Sequence, residues 1–136
     1  MRRAFTLVEL GVTIFVIAVI GATVLTGLSH YRQALQRNVM QGTIDMSLSL
    51  AKQEAMTQRC NVDVLFFDNG ITVQTDDEIL KELKLPKPYT VSSLRLGYNA
   101  AGNPRFAGTL YLYRQGKTAA KMTSAVGNGL ITWTKQ

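Results

Sequence analysis

The sequence MRRAFTLVELGVTIFVIAVIGATVLTGL occupies residues 1–28 and decides the fold of the chain. A short basic leader precedes an apolar run in which Glu9 is the only charged residue before Arg32. The uncharged stretch from Leu10 to Leu28 has 19 residues. An α-helix needs roughly 20 residues to cross about 30 Å of hydrocarbon. The sequence therefore predicts a membrane-spanning helix near the amino terminus.

A secretory signal peptide is the alternative interpretation of this stretch. Such a peptide carries its small-residue cleavage site after the apolar region. Here the small residue Ala4 precedes that region, and no A-x-A pattern follows Leu28. We therefore expect any cleavage between Ala4 and Phe5, which leaves the helix on the mature protein. The basic leader predicts a single-pass topology with the following domain outside the cytoplasmic membrane.

Arg2-Arg3-Ala4 followed by Phe5-Thr6-Leu7-Val8-Glu9 resembles the processing site of type IV prepilins and type II secretion pseudopilins. The resemblance implies a prepilin peptidase and methyltransferase that cuts before Phe5 and methylates its new amino group. The usual residue before the cut in this family is glycine, whereas this chain has Ala4, which is also small. In the family the glutamate is thought to pair with the terminal amine of a neighbouring subunit, so the resemblance assigns an assembly role to Glu9.

The chemistry of Glu9 agrees with that role. A carboxylate at membrane depth is expensive and is by default a functional hypothesis. Phe5 and Glu9 are four residues apart and share one face of a helix. An amine and a carboxylate cost less to desolvate as a pair than separately. The alternative is an ordinary anchor in which Glu9 is incidental.

Length and composition leave room for one small domain behind the anchor. The chain has 136 residues and a formal charge of +6. Cys60 is the only cysteine, which excludes an intramolecular disulfide, so stability must come from packing. We predict four segments: a leader at 1–4, a transmembrane and assembly helix at 5–30, an amphipathic continuation at 31–59 and a β-domain at 60–136.

The segment after the anchor predicts that the helix continues. Residues 29–59 contain no proline, and their apolar residues recur at spacings of three and four, which is typical of an amphipathic helix. This apolar stripe comprises Leu28, Tyr31, Leu35 and Val39, followed by Met40, Ile44, Leu48, Ala51 and Ala55. Because the stripe shifts by one residue at Val39-Met40, we expect a bend or a change of packing partner between Met40 and Gly42. A helix from Phe5 to Arg59 would be about 80 Å long, with half of it protruding.

From Cys60 the pattern changes to alternation and turns. Val62–Thr75 predicts a hairpin with a turn at Asp68-Asn69-Gly70, and Ile79–Leu85 fits either a short helix or an edge strand. Further strands are predicted at Tyr89–Leu96, Gly108–Tyr113, Ala119–Val126 and Leu130–Thr134. The predicted fold class is α+β: a long N-terminal helix whose second half covers a small antiparallel sheet, as in type IV pilins.

Looser matches along the rest of the chain resemble minor subunits of the GspH/FimT type, including their Gram-positive competence relatives. They are the helix-to-strand passage 48–65, the turn Tyr98-Asn99-Ala100-Ala101-Gly102-Asn103-Pro104 and the hairpin Gly127-Asn128-Gly129-Leu130-Ile131. The resemblance implies a non-catalytic filament subunit in a competence pilus, with other subunits as partners. A pseudopilin of a type II secretion system and a monomeric anchored binding protein are the alternatives.

The sequence contains no recognisable motif for catalysis or for binding a cofactor. His30 is the only histidine and sits where the anchor meets water. There is no Walker-type Gly-x-x-x-x-Gly-Lys-Ser/Thr loop, no Gly-x-Ser-x-Gly elbow and no Cys-x-x-Cys pair. Asp76-Asp77-Glu78 lacks the alternating oxygen spacing of a calcium loop and is interpreted as a solvated turn. We therefore expect neither an enzyme nor a metal protein.

The charge distribution makes DNA a candidate partner. From Pro86 onward the chain has seven basic residues and no acidic one: Lys87, Arg95, Arg105, Arg114, Lys117, Lys121 and Lys135. Such a surplus attracts polyanions if the side chains converge on one face. Arg114, Lys117 and Lys121 are the candidate DNA-binding residues. The alternative is a solvated surface balanced by acidic residues in the Asp63–Glu82 segment.

Overall fold

The protein is described here by a computed structural model that covers residues 6–127 and 129–135. Within these residues one helix, α1, spans Leu7–Gln58 and precedes the strands. The strands in the described ranges are β1 Val62–Phe67, β2 Gly70–Thr75, β3 Ile79–Lys84, β4 Tyr89–Val91, β5 Leu94–Tyr98, β6 Gly108–Arg114, β7 Lys117–Ser124 and β8 Ile131–Lys135. This is the predicted α+β layout of a long apolar N-terminal helix and small antiparallel sheets.

The chain divides into two compact units, residues 1–39 and residues 40–136. In the described part of the first unit every side chain is exposed except those of Ala34 and Arg37, which are half-buried. Tyr31, Leu35 and Val39 are each at least half exposed. The helix is long and apolar enough here to cross a membrane. The first half of the predicted stripe is therefore largely exposed, unlike the half that follows Val39.

The second unit contains the last part of α1 and two four-stranded sheets. Sheet A has the strand order β3-β2-β1-β5, and sheet B has the order β4-β6-β7-β8. All pairings between neighbouring strands are antiparallel. The predicted antiparallel β-domain is present, and it consists of two sheets that share one core with the helix.

The buried face of α1 begins where the apolar stripe shifts. Met40, Ile44, Leu48, Ala51 and Ala55 are buried, and none is more than 3% exposed. They pack in one cluster with buried strand residues from both sheets. The prediction that the second half of the helix covers the β-domain is confirmed. The shift at Val39-Met40 also marks the boundary between the two compact units.

Local turn chemistry sets the ends of the elements. α1 ends with Arg59 in the left-handed region, φ 54°, and the Cys60 N–H donates to the Ala55 carbonyl at 3.3 Å, as in a Schellman motif. The predicted turn after β1 is present, with Asp68 at φ 29°. Gln115 and Gly116 join β6 to β7 with φ of 51° and 77°, which suits the twist of a two-residue hairpin.

The prediction of one strand over Tyr89–Leu96 is wrong. The segment is interrupted at Ser92 and Ser93, so that β4 pairs with β6 in sheet B while β5 pairs with β1 in sheet A. The interruption is decided by distant strands and not by the segment itself, because β4 and β5 pair with different partner strands. For 79–85, where helix and strand were both open, the structure shows the edge strand β3.

Candidate functional site

Glu9 closes a capping box at the start of α1. Its carboxylate Oε2 accepts hydrogen bonds from the Thr6 backbone N–H and from the Thr6 hydroxyl, each at 3.0 Å. The Glu9 N–H donates in turn to the Thr6 hydroxyl oxygen at 3.3 Å. Such a box satisfies helix N–H groups that otherwise lack partners. Glu9 therefore has a hydrogen-bond partner in Thr6, within three residues of the same chain.

The predicted processing residues Ala4 and Phe5 lie outside the described residues. The surface that follows them is apolar and unpacked: Leu7 is 88% exposed, Phe15 is 69% exposed and Leu25 is 70% exposed. Thr13, Thr23 and Thr26 donate their hydroxyls to carbonyls three or four residues back in the helix. Their polar groups are therefore satisfied within the helix, which fits apolar surroundings.

The three predicted DNA-binding residues lie on the β6–β7 hairpin of sheet B. Arg114 and Lys117 are register partners at its turn, and Lys121 lies further along β7 opposite Tyr111. The backbone N–H of Gln115 donates to the Pro88 carbonyl at 3.4 Å, so the 87–88 segment borders the same turn. The structure thus brings Arg114, Lys117 and the Lys87 backbone to one end of sheet B.

Two other basic residues are held by a buried carboxylate instead. Asp63 on β1 is 4% exposed, and its Oδ2 accepts from Arg95 Nε at 3.1 Å and also from the second Arg95 nitrogen. Its Oδ1 accepts from Arg105 at 3.2 Å. Both guanidinium groups lie over the Phe106 ring, at 5.2 and 5.1 Å from its centroid. Arg95 and Arg105 are therefore part of a structural ion cluster on the side of sheet A.

The outward side of sheet B carries an aromatic pair. The rings of Tyr111 and Tyr113 stack with their centroids 6.3 Å apart. The Lys121 ammonium lies 5.9 Å from the Tyr111 centroid, a cation–π distance. Both tyrosines are half-buried, while Leu110 and Leu112 between and beside them are fully buried. The tyrosines therefore line the solvent side of the sheet rather than its core.

Three side-chain contacts were not predicted from the sequence: the capping box, the Asp63 ion cluster and a hydrogen bond from Trp133 to Asp45. The sequence contains a recognisable pattern for the first of them. Thr6 followed by Glu9 has the T-x-x-E spacing of a capping box, which precedes an apolar run here. The ion cluster joins Asp63 to arginines 32 and 42 residues away, and no local pattern indicates such a contact. Likewise the indole N–H of Trp133 donates to Asp45 at 3.0 Å, which links β8 to α1 across 88 residues.

Among the described residues, no group of three or more His, Cys, Asp or Glu side chains is placed to hold a metal ion. Comparison of the chain with protein-family models, with curated proteins and with solved structures gave no match.

Proposed function

We propose that this chain is a non-catalytic minor subunit of a type IV filament, anchored in the membrane before assembly and acting in DNA uptake. Other pilin subunits, a prepilin peptidase and DNA are its partners in this proposal. After assembly the subunit belongs to a filament outside the cytoplasmic membrane. A secretion pseudopilus would use the same anchor, but it would not require a basic domain surface.

The observation that carries the proposal is the first half of α1. Its apolar side chains are exposed over residues 7–28, yet the same helix continues into the buried core at Met40. A cleavable signal peptide has no reason to continue as the core helix of the domain that it exports. An apolar surface of this length requires lipid, and sister helices would cover it in a filament.

The surroundings of Glu9 support an assembly role that follows membrane insertion. In the anchor the carboxylate accepts two hydrogen bonds from Thr6, which lowers the cost of placing it near hydrocarbon. Both of these contacts are made by Oε2. In the proposal the carboxylate also receives a cation from a neighbouring subunit. The family resemblance identifies that cation as the terminal amine at Phe5.

Glu9 variants test the proposal because charge and capping can be separated. Glu9→Gln keeps a capping-box side chain but removes the negative charge, whereas Thr6→Ala weakens the box and keeps the charge. Glu9→Ala removes both. All three should insert into membranes, since none makes the helix less apolar by adding charge. We expect both Glu9 variants to be lost from sheared filaments and Thr6→Ala to be retained.

Normal incorporation of Glu9→Gln would contradict the assembly role and leave Glu9 as a helix cap only.

A second measurement concerns processing. Mass spectrometry of protein from its own host should show loss of residues 1–4 and one added methyl group on Phe5. A mature form cut after residue 28 or later would exclude a pilin, because the anchor would then be absent from the mature chain.

A further inference from the structure

The outward side of sheet B is built from hydroxyl-bearing residues around one lysine. Strand register places Tyr111, Lys121 and Thr134 in one row across β6, β7 and β8. The same register places Thr109, Thr123 and Thr132 in the next row. We call these six residues the hydroxyl face. All of them are exposed or half-buried, while the intervening Leu110, Leu112, Ala120 and Met122 are buried in the core.

Beyond these two rows, β4 continues the same surface. Thr90 is exposed and pairs with Tyr113, whose ring stacks on Tyr111. Every outward side chain in these rows can donate a hydrogen bond, and none carries a negative charge. Threonine alone would be unremarkable on a strand, because it has a high strand propensity. What requires explanation is the absence of carboxylates from the whole 86–136 segment of the sequence.

Sheet A shows that this composition is not general to the domain. Its edge strand β3 has the sequence ILKELK and exposes both Lys81 and Glu82. Its central strand carries Asp63, which binds two arginines. Acidic and basic residues are thus mixed in sheet A, as on an ordinary solvated surface. The two outward rows of sheet B contain hydroxyl groups and one ammonium group and no carboxylate, which suits a ligand with many anionic oxygen acceptors.

We propose that the hydroxyl face binds the sugar-phosphate backbone of duplex DNA, with Lys121 at its centre and Arg114 and Lys117 at the adjoining hairpin turn. This inference rests on the proposed role in DNA uptake, and it identifies the hydroxyl face as the surface that contacts the DNA. Phosphate oxygens accept hydrogen bonds from Thr, Tyr, Lys and Arg side chains. Contacts of this kind position a duplex without reading its sequence, so binding is indifferent to sequence.

The tyrosine pair contributes hydroxyl groups and not open ring faces. The Tyr111 ring already contacts the Tyr113 ring and the Lys121 ammonium, so it is occupied by protein neighbours. Stacking of unpaired bases on aromatic rings is the usual mode for single strands. A duplex keeps its bases stacked and presents phosphates, which the phenol hydroxyls can reach. Replacing tyrosine by phenylalanine distinguishes the two modes, because it keeps the ring and removes the hydroxyl.

The experiment measures binding of a labelled 30-base-pair duplex to the full-length protein in detergent micelles, by fluorescence anisotropy over a series of salt concentrations. Tyr111→Phe, Thr123→Val and Thr132→Val each remove one hydroxyl at nearly constant shape, and each should weaken binding about two- to tenfold. Thr123→Ser keeps the hydroxyl and should bind like wild type. Thr57→Val, on the exposed helix surface, is the matched control outside the face.

The cations set the dependence on salt. Three phosphate contacts predict a slope of log K against log salt of about −3, and Lys121→Ala should reduce its magnitude by about 1. Glu82→Ala and Lys84→Ala, both on β3, should leave the slope unchanged because they lie on the other sheet. Reversal of Arg114, Lys117 and Lys121 to Glu should abolish binding and natural transformation while thermal unfolding stays cooperative.

Two results would overturn the proposal. If the three hydroxyl variants bind like wild type while Lys121→Ala does not, the contact is electrostatic and the hydroxyl face is an ordinary solvated surface. If single strands bind more tightly than the duplex and Tyr111→Phe retains that binding, the bases stack on the rings. Filament incorporation of the same variants separates this inference from the proposed function: they should assemble normally, whereas Glu9→Gln should bind DNA in micelles but fail to assemble.

Discussion

At the scale of single residues, Asp63 shows why a charged side chain is tolerated in the middle of a sheet. It lies on the central strand β1 and is nearly inaccessible, but three guanidinium N–H groups donate to its two oxygens. A buried carboxylate without such partners would be strongly destabilising. Arg95 and Arg105 therefore do not form a free basic surface, because both pair with Asp63. This is the acidic balance from the Asp63–Glu82 segment that the solvated-surface alternative describes.

Asp63→Asn should therefore lower the free energy of unfolding by about 2 kcal/mol, because charge-assisted hydrogen bonds are lost and two arginines remain without a carboxylate. Chemical denaturation of the domain measures this change. Asp77→Asn, on an exposed turn, is the matched control and should change stability little. A stability equal to wild type for Asp63→Asn would mean that the ion cluster contributes nothing net.

Tyr98 provides a pH-dependent prediction. Burial and, to a smaller extent, the Asp45 carboxylate raise the pKa of Tyr98 above its ordinary value. A tyrosine in an unfolded chain loses its phenol proton near pH 10, whereas Tyr98 in the folded protein is still protonated at that pH. The unfolded state is then favoured, so stability should fall as pH rises above about 10. The stability of Tyr98→Phe, measured by denaturation curves, should fall less than that of wild type over the same pH range.

At the scale of secondary-structure elements, two glycines have opposite roles. Gly42 lies within α1 and is exposed, and a methyl group added there meets no atom within 4 Å. Gly97 lies on β5 directly opposite Asp63, and a methyl group added there would collide with the Asp63 carboxylate and lie 3.0 Å from the Val62 carbonyl oxygen. The first glycine only weakens the helix, while the second permits close strand pairing beside the ion cluster.

Gly42→Ala should raise the stability of the domain by about 1 kcal/mol, since alanine has the higher helix propensity. Gly97→Ala should lower it, because either the Asp63 carboxylate or the β1 backbone must move. Thermal unfolding of the two variants beside wild type measures both effects. Equal melting temperatures for wild type and Gly97→Ala would show that the strand accommodates the methyl group without disturbing Asp63.

At the scale of the whole molecule, the two compact units depend on different surroundings. The buried hydrophobic residues among those described all lie in 40–136, and the helical segment before Met40 contributes none of them. Residues 40–136 therefore contain their own core, whereas the apolar side chains of the first unit are exposed. In the proposed filament subunit, lipid and then sister helices would cover the exposed apolar surface of the first unit.

A chain that starts at Tyr31 should therefore give a monomeric soluble domain that unfolds cooperatively. Its melting temperature should not change with a reducing agent, since Cys60 has no second cysteine in the chain. Size-exclusion chromatography and calorimetry with and without reductant test both statements. Aggregation of this fragment at neutral pH would show that the first unit contributes to folding of the second.

The sequence by itself determined the elements that depend on neighbouring residues. The uncharged run indicated the membrane-competent helix, and the 3.6-residue period indicated its continuation and the face that is buried from Met40 onward. Alternation and turn residues predicted the β1–β2 hairpin and the strands at Gly108–Tyr113 and Ala119–Val126. Period and turn chemistry act within a few residues, so they can be recognised in the sequence without knowledge of the rest of the fold.

Only the tertiary structure decided which strands meet. The pattern of segment 89–96 predicts one strand, yet its two halves belong to different sheets. The first half, in β4, pairs with β6, and the second half, in β5, pairs with β1. The same pairing brings Asp63 to Arg95 and Arg105, and aligns tyrosine, lysine and threonine into the hydroxyl face. Register and sheet membership depend on contacts between distant residues, whose energies no local pattern encodes.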